Sequence, residues 1–168
     1  MIAVDGSAIL AYLLKEPGGA ACGAVLESGA RLLISAGSLA ECLIVAGRRG
    51  VAAEVEAIIM GRPVEVVPVT AATALRMAGA YARWGRRNHP ATLNLGDCFA
   101  YALAEELGCP LLFVGRDFAR TDVRAAVQGV GRGGLKPALR WRVSRRPAPR
   151  STGARDRPGS ARRGGGRP

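Results

Sequence analysis

Four carboxylates occupy positions where chemistry could be done: Asp5, Glu41, Asp97 and Asp117. Asp5 closes a short apolar run at the start of the chain, and Asp117 follows a second such run at 111–114. Asp97 opens a helical stretch after Asn94-Leu95-Gly96, and Glu41 lies early in another. Ligands of open α/β sheets bind outside the carboxyl ends of the strands, so acids at strand ends and helix starts can share one crevice. Gathered without a counter-charge, such acids repel, and at least one is expected to hold a proton. A hard divalent cation removes the conflict. Magnesium takes oxygen ligands, keeps several waters, and is commonly held by one or two carboxylates plus a phosphate. It can polarise a phosphoryl oxygen and lower the pKa of an attacking water, which is the chemistry of phosphodiester hydrolysis. Ser7, two residues after Asp5, could hydrogen-bond a carboxylate or a phosphate.

Each acid also has a structural alternative. Asp5 could cap the helix that follows it. Glu41 could close a capping box, Ser38-x-x-Glu41, as the second partner. Asp97 could be a first-turn acid favoured by the helix dipole, and Asp117 a turn acid.

The elements that must position these residues follow from apolar spacing. Residues 1–5 and 31–35 read as buried strands, 64–69 as a further strand, and 111–114 as another. Helices are predicted from Ser7, as N-cap, to the Pro17-Gly18-Gly19 stop, and over about 20–28. Ser38 is expected to cap a helix carrying Leu39, Leu43, Ile44 and Ala46. Further helices are predicted over 52–60, over 70–84 through Leu75, Met77, Ala78 and Tyr81, and over 96–107 with Phe99, Ala100, Leu103 and Leu107 on one face. Alternating strands and helices predict an α/β fold with a central, mostly parallel sheet, and right-handed crossovers let the acid-bearing strand ends share one edge.

Charge is distributed unevenly. Of the net +11, residues 1–130 contribute nothing, since 12 Arg or Lys balance 12 Asp or Glu. Residues 131–168 hold the other 12 basic residues against Asp156 alone. The chain therefore divides into a neutral domain at 1–128 and a basic Gly/Pro/Arg-rich tail at 129–168, expected to be disordered because so few large apolar residues cannot offset ordering entropy. The tail could track RNA through counterion release or remain a solvated extension. Cys22, Cys42, Cys98 and Cys109 form no CxxC pair and read as buried reduced thiols, not a zinc site. Neither a secretory signal nor an apolar run of membrane-spanning length is expected, which points to a cytoplasmic protein.

Three stretches resemble a known family. MIAVDGSAILAYLLKEP is similar to the start of PIN-domain proteins, SAGSLAECLIVAGRRG to their second acidic segment, and HPATLNLGDCFAYALAEELGCPLLFVGRDFARTDV to the VapC group of PIN-domain toxins. The resemblance covers roughly 1–127 and implies a three-layer α/β/α fold. It places the family's acidic site on Asp5, Glu41, Asp97 and Asp117, with Asp5 and Asp97 as direct magnesium ligands and Glu41 and Asp117 acting directly or through water. Asp122 matches a further acidic position near the site. The implied activity is a Mg2+- or Mn2+-dependent endoribonuclease using a metal-bound water, restrained by a VapB-like antitoxin and paired as a homodimer. Gly6 departs from a common Ser or Thr, and Arg116 from a common Asp or Asn.

Arg86, Arg87, His89 and Arg116 are candidate RNA contacts, through phosphates for the arginines, against the plain reading of a solvated face. Trp84 and Tyr81 read as packing or dimer residues. Two competing readings stand beside the nuclease: a catalytically inactive PIN-fold module that binds RNA or a partner, and an aspartyl phosphatase. The second is disfavoured because Asp5-Gly6-Ser7 lacks a second acid close after the first.

Overall fold

The structure, a computed structural model, describes residues 1–127. The expectations for the tail at 129–168 lie outside the described residues. Four short strands form one sheet: β1 (Ile2–Val4), β2 (Leu32–Ser35), β3 (Val64–Val67) and β4 (Leu111–Leu112). Their order is β3-β2-β1-β4, and every neighbouring pair is parallel. The strands after β2 end sooner than their apolar runs suggest. Val69 is exposed and Val114 only half-buried, so those runs continue past the hydrogen-bonded ladder.

Among the described residues six α-helices connect and cover the sheet: α1 (Gly6–Leu13), α2 (Gly19–Leu26), α3 (Ala36–Arg49), α4 (Ala52–Gly61), α5 (Ala71–Trp84) and α6 (Leu95–Glu106). Pleating sends alternate strand residues to opposite faces, which makes three layers. Ala3, Leu33 and Leu111 pack with Met77, Ala80, Trp84, Tyr101 and Leu103 of α5 and α6. Val4, Leu32, Ile34 and Leu112 pack with α1 to α4 through Ile9, Leu26, Cys42, Ala46, Val55 and Ile58. Both faces of the sheet are thus covered, as an all-parallel sheet requires. All four cysteines are buried and free. Among the described residues no helix is long and apolar enough to cross a membrane.

Several local expectations are corrected. The N-cap of α1 is Asp5, not Ser7: the Asp5 side chain accepts the Ser7 amide. The N-cap of α3 is Ser35, whose side chain accepts from Gly37 N. The helix therefore starts three residues early, Ser38 and Glu41 form no capping box, and Glu41 lies in the second turn. The buried faces also differ. On α3 it is Ser38, Cys42 and Ala46 that face inward, while Ile44 is 59% exposed; on α5 it is Met77, Ala80 and Trp84, while Leu75 is 77% exposed. Helix α6 is buried from Cys98 to Ala104 around most of its circumference, with Leu107 outside.

Candidate functional site

The sheet order reverses direction at β1: β2 and β3 lie on one side of it, β4 on the other. Such a switch point opens a crevice at the carboxyl ends of the two strands that flank it. Asp5 sits there, continuing β1 through its amide to Leu112 O at 2.9 Å. Its carboxylate accepts the Ser7 amide at 2.9 Å and the Ser7 hydroxyl at 2.5 Å. The same hydroxyl oxygen accepts the Val114 amide from across the crevice at 3.1 Å. Ser7 thereby ties Asp5 to the segment that leads from β4 to Asp117.

Asp97 enters from the first turn of α6. It forms a reciprocal pair with Asn94: Asn94 Oδ1 accepts the Asp97 amide at 2.9 Å, and Asp97 Oδ2 accepts the Asn94 amide at 2.7 Å. Glu41 reaches across from α3 and lies directly against Gly96, where a Cβ would overlap its carboxylate. Gly6 is bare for a similar reason, since a Cβ there would stand 2.9 Å from Cys42 Cβ. This accounts for the departure at that position: the helix pair α1 and α3 is closed up on glycine.

The acids feel one another. Burial raises the proton affinity of Asp97 most; the Asn94 amide lowers it, and the charges of Asp5, Asp117 and Glu41 raise it again, leaving its pKa at about 6. Burial raises Asp5 against the lowering effect of its bonds to Ser7. Burial, then the charge of Asp5, raises Glu41. Asp5 is only 7% exposed, Asp97 is half-buried, and Glu41 and Asp117 are exposed. Among the described residues none of the four makes a salt bridge. Nor, among those residues, does any group of three His, Cys, Asp or Glu side chains stand ready to enclose an ion.

A family model described as the PIN domain matches residues 2–124. The chain belongs to the PIN-domain family. Among the curated relatives of this PIN domain is a protein named Ribonuclease VapC from Mycolicibacterium smegmatis. It is 38% identical over 125 residues, covering 73% of this chain and 97% of the relative. Ribonuclease VapC42 of Mycobacterium tuberculosis is 39% identical over 127 residues, again covering 73% and 97%. The fold is shared with Mycobacterium tuberculosis VapC20, described as a sarcin-ricin loop cleaving toxin. The TM-score is 0.60 at 20% identity, over 73% of this PIN domain and 96% of that chain. A toxin–antitoxin complex from Klebsiella pneumoniae also shares the fold, with a TM-score of 0.56 at 16% identity, over 73% and 93%.

Arg116 is exposed beside Asp117, and Arg86 and Arg87 are exposed in the turn after α5. His89 is half-buried in that turn: its Nδ1 accepts the Ala91 amide at 3.1 Å and its ring meets the Trp84 ring edge-on, 4.6 Å between centroids. Trp84 is a packing residue, as its buried indole shows. Asp122 takes Tyr101 and Arg83 as partners and does not contribute to the charge felt by Asp97. Two contact residues escape a reading by residue type alone: Asn94, signalled by the Asn-x-x-Asp spacing of a reciprocal cap, and Gly96, signalled by nothing but its place beside Asp97.

Proposed function

We propose that the chain is a toxin ribonuclease that hydrolyses RNA phosphodiester bonds at Asp5, Glu41, Asp97 and Asp117 with Mg2+ or Mn2+. The observation that carries this reading is the uncompensated acid cluster at the switch point. Three of its members have raised proton affinities and, among the described residues, none has a cationic partner. A hard, oxygen-seeking cation fits that donor set, since magnesium needs only one or two protein carboxylates. Asp5 and Asp97 would hold it, with Glu41 and Asp117 completing the negative rim. When bound, the ion supplies Lewis-acid polarisation of a phosphate and a more acidic water.

The chain's own groups do the positioning. Ser7 and Asn94 each lock one carboxylate by two hydrogen bonds or a reciprocal pair, so both acids meet the ion without rotamer search. Arg116, Arg86 and Arg87 are free to meet phosphate oxygens at the rim, fixing the RNA backbone without reading sequence. The names of the relatives support ribonuclease activity. Restraint by a VapB-like antitoxin, in the cytoplasm, belongs to this proposal; the Klebsiella structure that shares the fold is itself a toxin–antitoxin complex. Pairing of two copies belongs to the same proposal.

Asp5→Asn tests it. Asparagine still accepts the Ser7 amide, so the fold should hold. Metal-dependent cleavage of total RNA should fall by about a hundredfold or more, as for loss of a charged group acting at the reacting phosphate. Undiminished cleavage by the variant, or cleavage by the parent protein that persists in excess chelator, would sink the metal-dependent mechanism, whereas a parent protein that cleaves no RNA with the metal supplied would favour the inactive binding module.

A further inference from the structure

The Asp117 carboxylate has no hydrogen-bond partner among the described residues and the residue is exposed, so the carboxylate's position is inherited from the segment that carries it. That segment is held at both ends. At its start, the Val114 amide is held by Ser7 Oγ at 3.1 Å. Beyond Asp117 the chain makes a single 3-10 turn at Phe118–Arg120, whose Phe118 ring lies 5.0 Å from the Phe113 ring. Arg120 then donates to Pro90 O at 2.6 Å. The far anchor is Asp122. Its Oδ1 accepts the Tyr101 hydroxyl at 2.7 Å, and its Oδ2 pairs with the Arg83 guanidinium at 2.9 Å.

These partners form a connected set. Tyr101 is 2% exposed, and its oxygen also accepts the Trp84 indole N–H at 2.9 Å. Arg83 lies over the Trp84 ring at 4.4 Å. Tyr101 is four residues after Asp97, one turn along the same face of α6. One helix therefore presents Asp97 directly and, through Tyr101 and Asp122, fixes the far end of the segment bearing Asp117. Burial, followed by the bond to Asp122, keeps the Tyr101 phenol protonated with a pKa pushed up to about 12, so the donor is constant across the working pH range.

We infer that Asp122 is a positioning residue: with Tyr101 it sets the register of Asp117 against Asp97. This rests on the acidic site proposed above. The test is Mn2+ binding by isothermal titration calorimetry on the full chain, comparing wild type, Asp122→Ala, Tyr101→Phe and Ile58→Val. The last removes one methylene from the opposite layer and serves as a destabilised control away from the segment. Asp122→Ala and Tyr101→Phe should weaken Mn2+ binding by roughly tenfold, the lower end for loss of a group that orients a ligand. Ile58→Val should bind as wild type does. Wild-type affinity in both latch variants would overturn the inference while leaving the acidic site intact. Equal weakening in all three variants would assign the effect to general loss of stability and overturn it as well. Absence of Mn2+ binding by the wild type would overturn the site itself, and this inference with it.

Discussion

Replacing Asp97 with asparagine should stabilise the metal-free protein at neutral pH. The Asp97 carboxyl moves from an ordinary 3.8 to about 6 in the fold, chiefly through burial. Each tenfold in that affinity is worth about 1.4 kcal/mol, which bounds the cost of ionising it near 3 kcal/mol. The group is only half-buried, so screening reduces this to about 1–2 kcal/mol. The helix dipole favours charge at this position by about 0.3–1 kcal/mol, leaving a net gain near 1 kcal/mol for the neutral side chain. Asparagine can still accept the Asn94 amide, so the cap survives.

Below pH 3.8 both folded and unfolded chains carry the proton and there is no penalty. Between about 4 and 6 the folded state keeps a proton that the unfolded state has lost, so stability falls as pH rises. Above 6 the penalty is complete. Thermal unfolding in chelator should therefore show Asp97→Asn melting about 3–5 °C above wild type at pH 7.5, with the gap closing toward pH 4. Raised affinities at Asp5 and Glu41 leave a residual slope of the same sign in both proteins. A variant less stable than wild type at pH 7.5, or parallel pH profiles, would refute the reasoning that the acids are held together against their repulsion.

Two further outcomes are expected. Gly96→Ala improves helix propensity yet places a Cβ where the Glu41 carboxylate lies; kcat/KM should drop by roughly tenfold or more without loss of stability. Glu41→Asp in that background should recover part of the activity, and no recovery would locate the defect elsewhere. Ser38 is 2% exposed and its hydroxyl has no partner among the described residues. Ser38→Ala should accordingly stabilise the fold by about 1 kcal/mol, read as a higher urea midpoint. A lower midpoint would mean that the hydroxyl is bonded.

The strand ends were legible because a strand buried on both faces needs a near-continuous apolar run, and Asp5 interrupts such a run. Asp97 was legible for a related reason, as an acid opening an apolar helix. Helix faces were not. Ile44 and Leu75 look like core residues by size, but α3 turns Ser38, Cys42 and Ala46 inward and α5 turns Met77, Ala80 and Trp84, which leaves Ile44 and Leu75 on the outer faces. Ser35 both ends the apolar strand β2 and caps α3, a double role that sequence spacing does not report. The latch at Asp122 joins residues 21 apart, a pairing that periodicity does not report.

The strip after Asp122 has a consequence for association. Leu111 is bridged in parallel to Ala125, with the Leu111 amide on Arg124 O and the Ala126 amide on Leu111 O, both at 2.8 Å. The chain thus lays its own backbone along the outer side of β4. Among the described residues β3 is left as the open edge of the sheet, and it is short, half-exposed and marked by Glu65 in a salt bridge with Arg31. Charge and brevity are what discourage strand addition at an edge. Among the described residues, a neighbouring polypeptide seeking main-chain hydrogen bonds therefore finds Leu111 of β4 already taken by the chain's own strip and, at β3, a guarded edge.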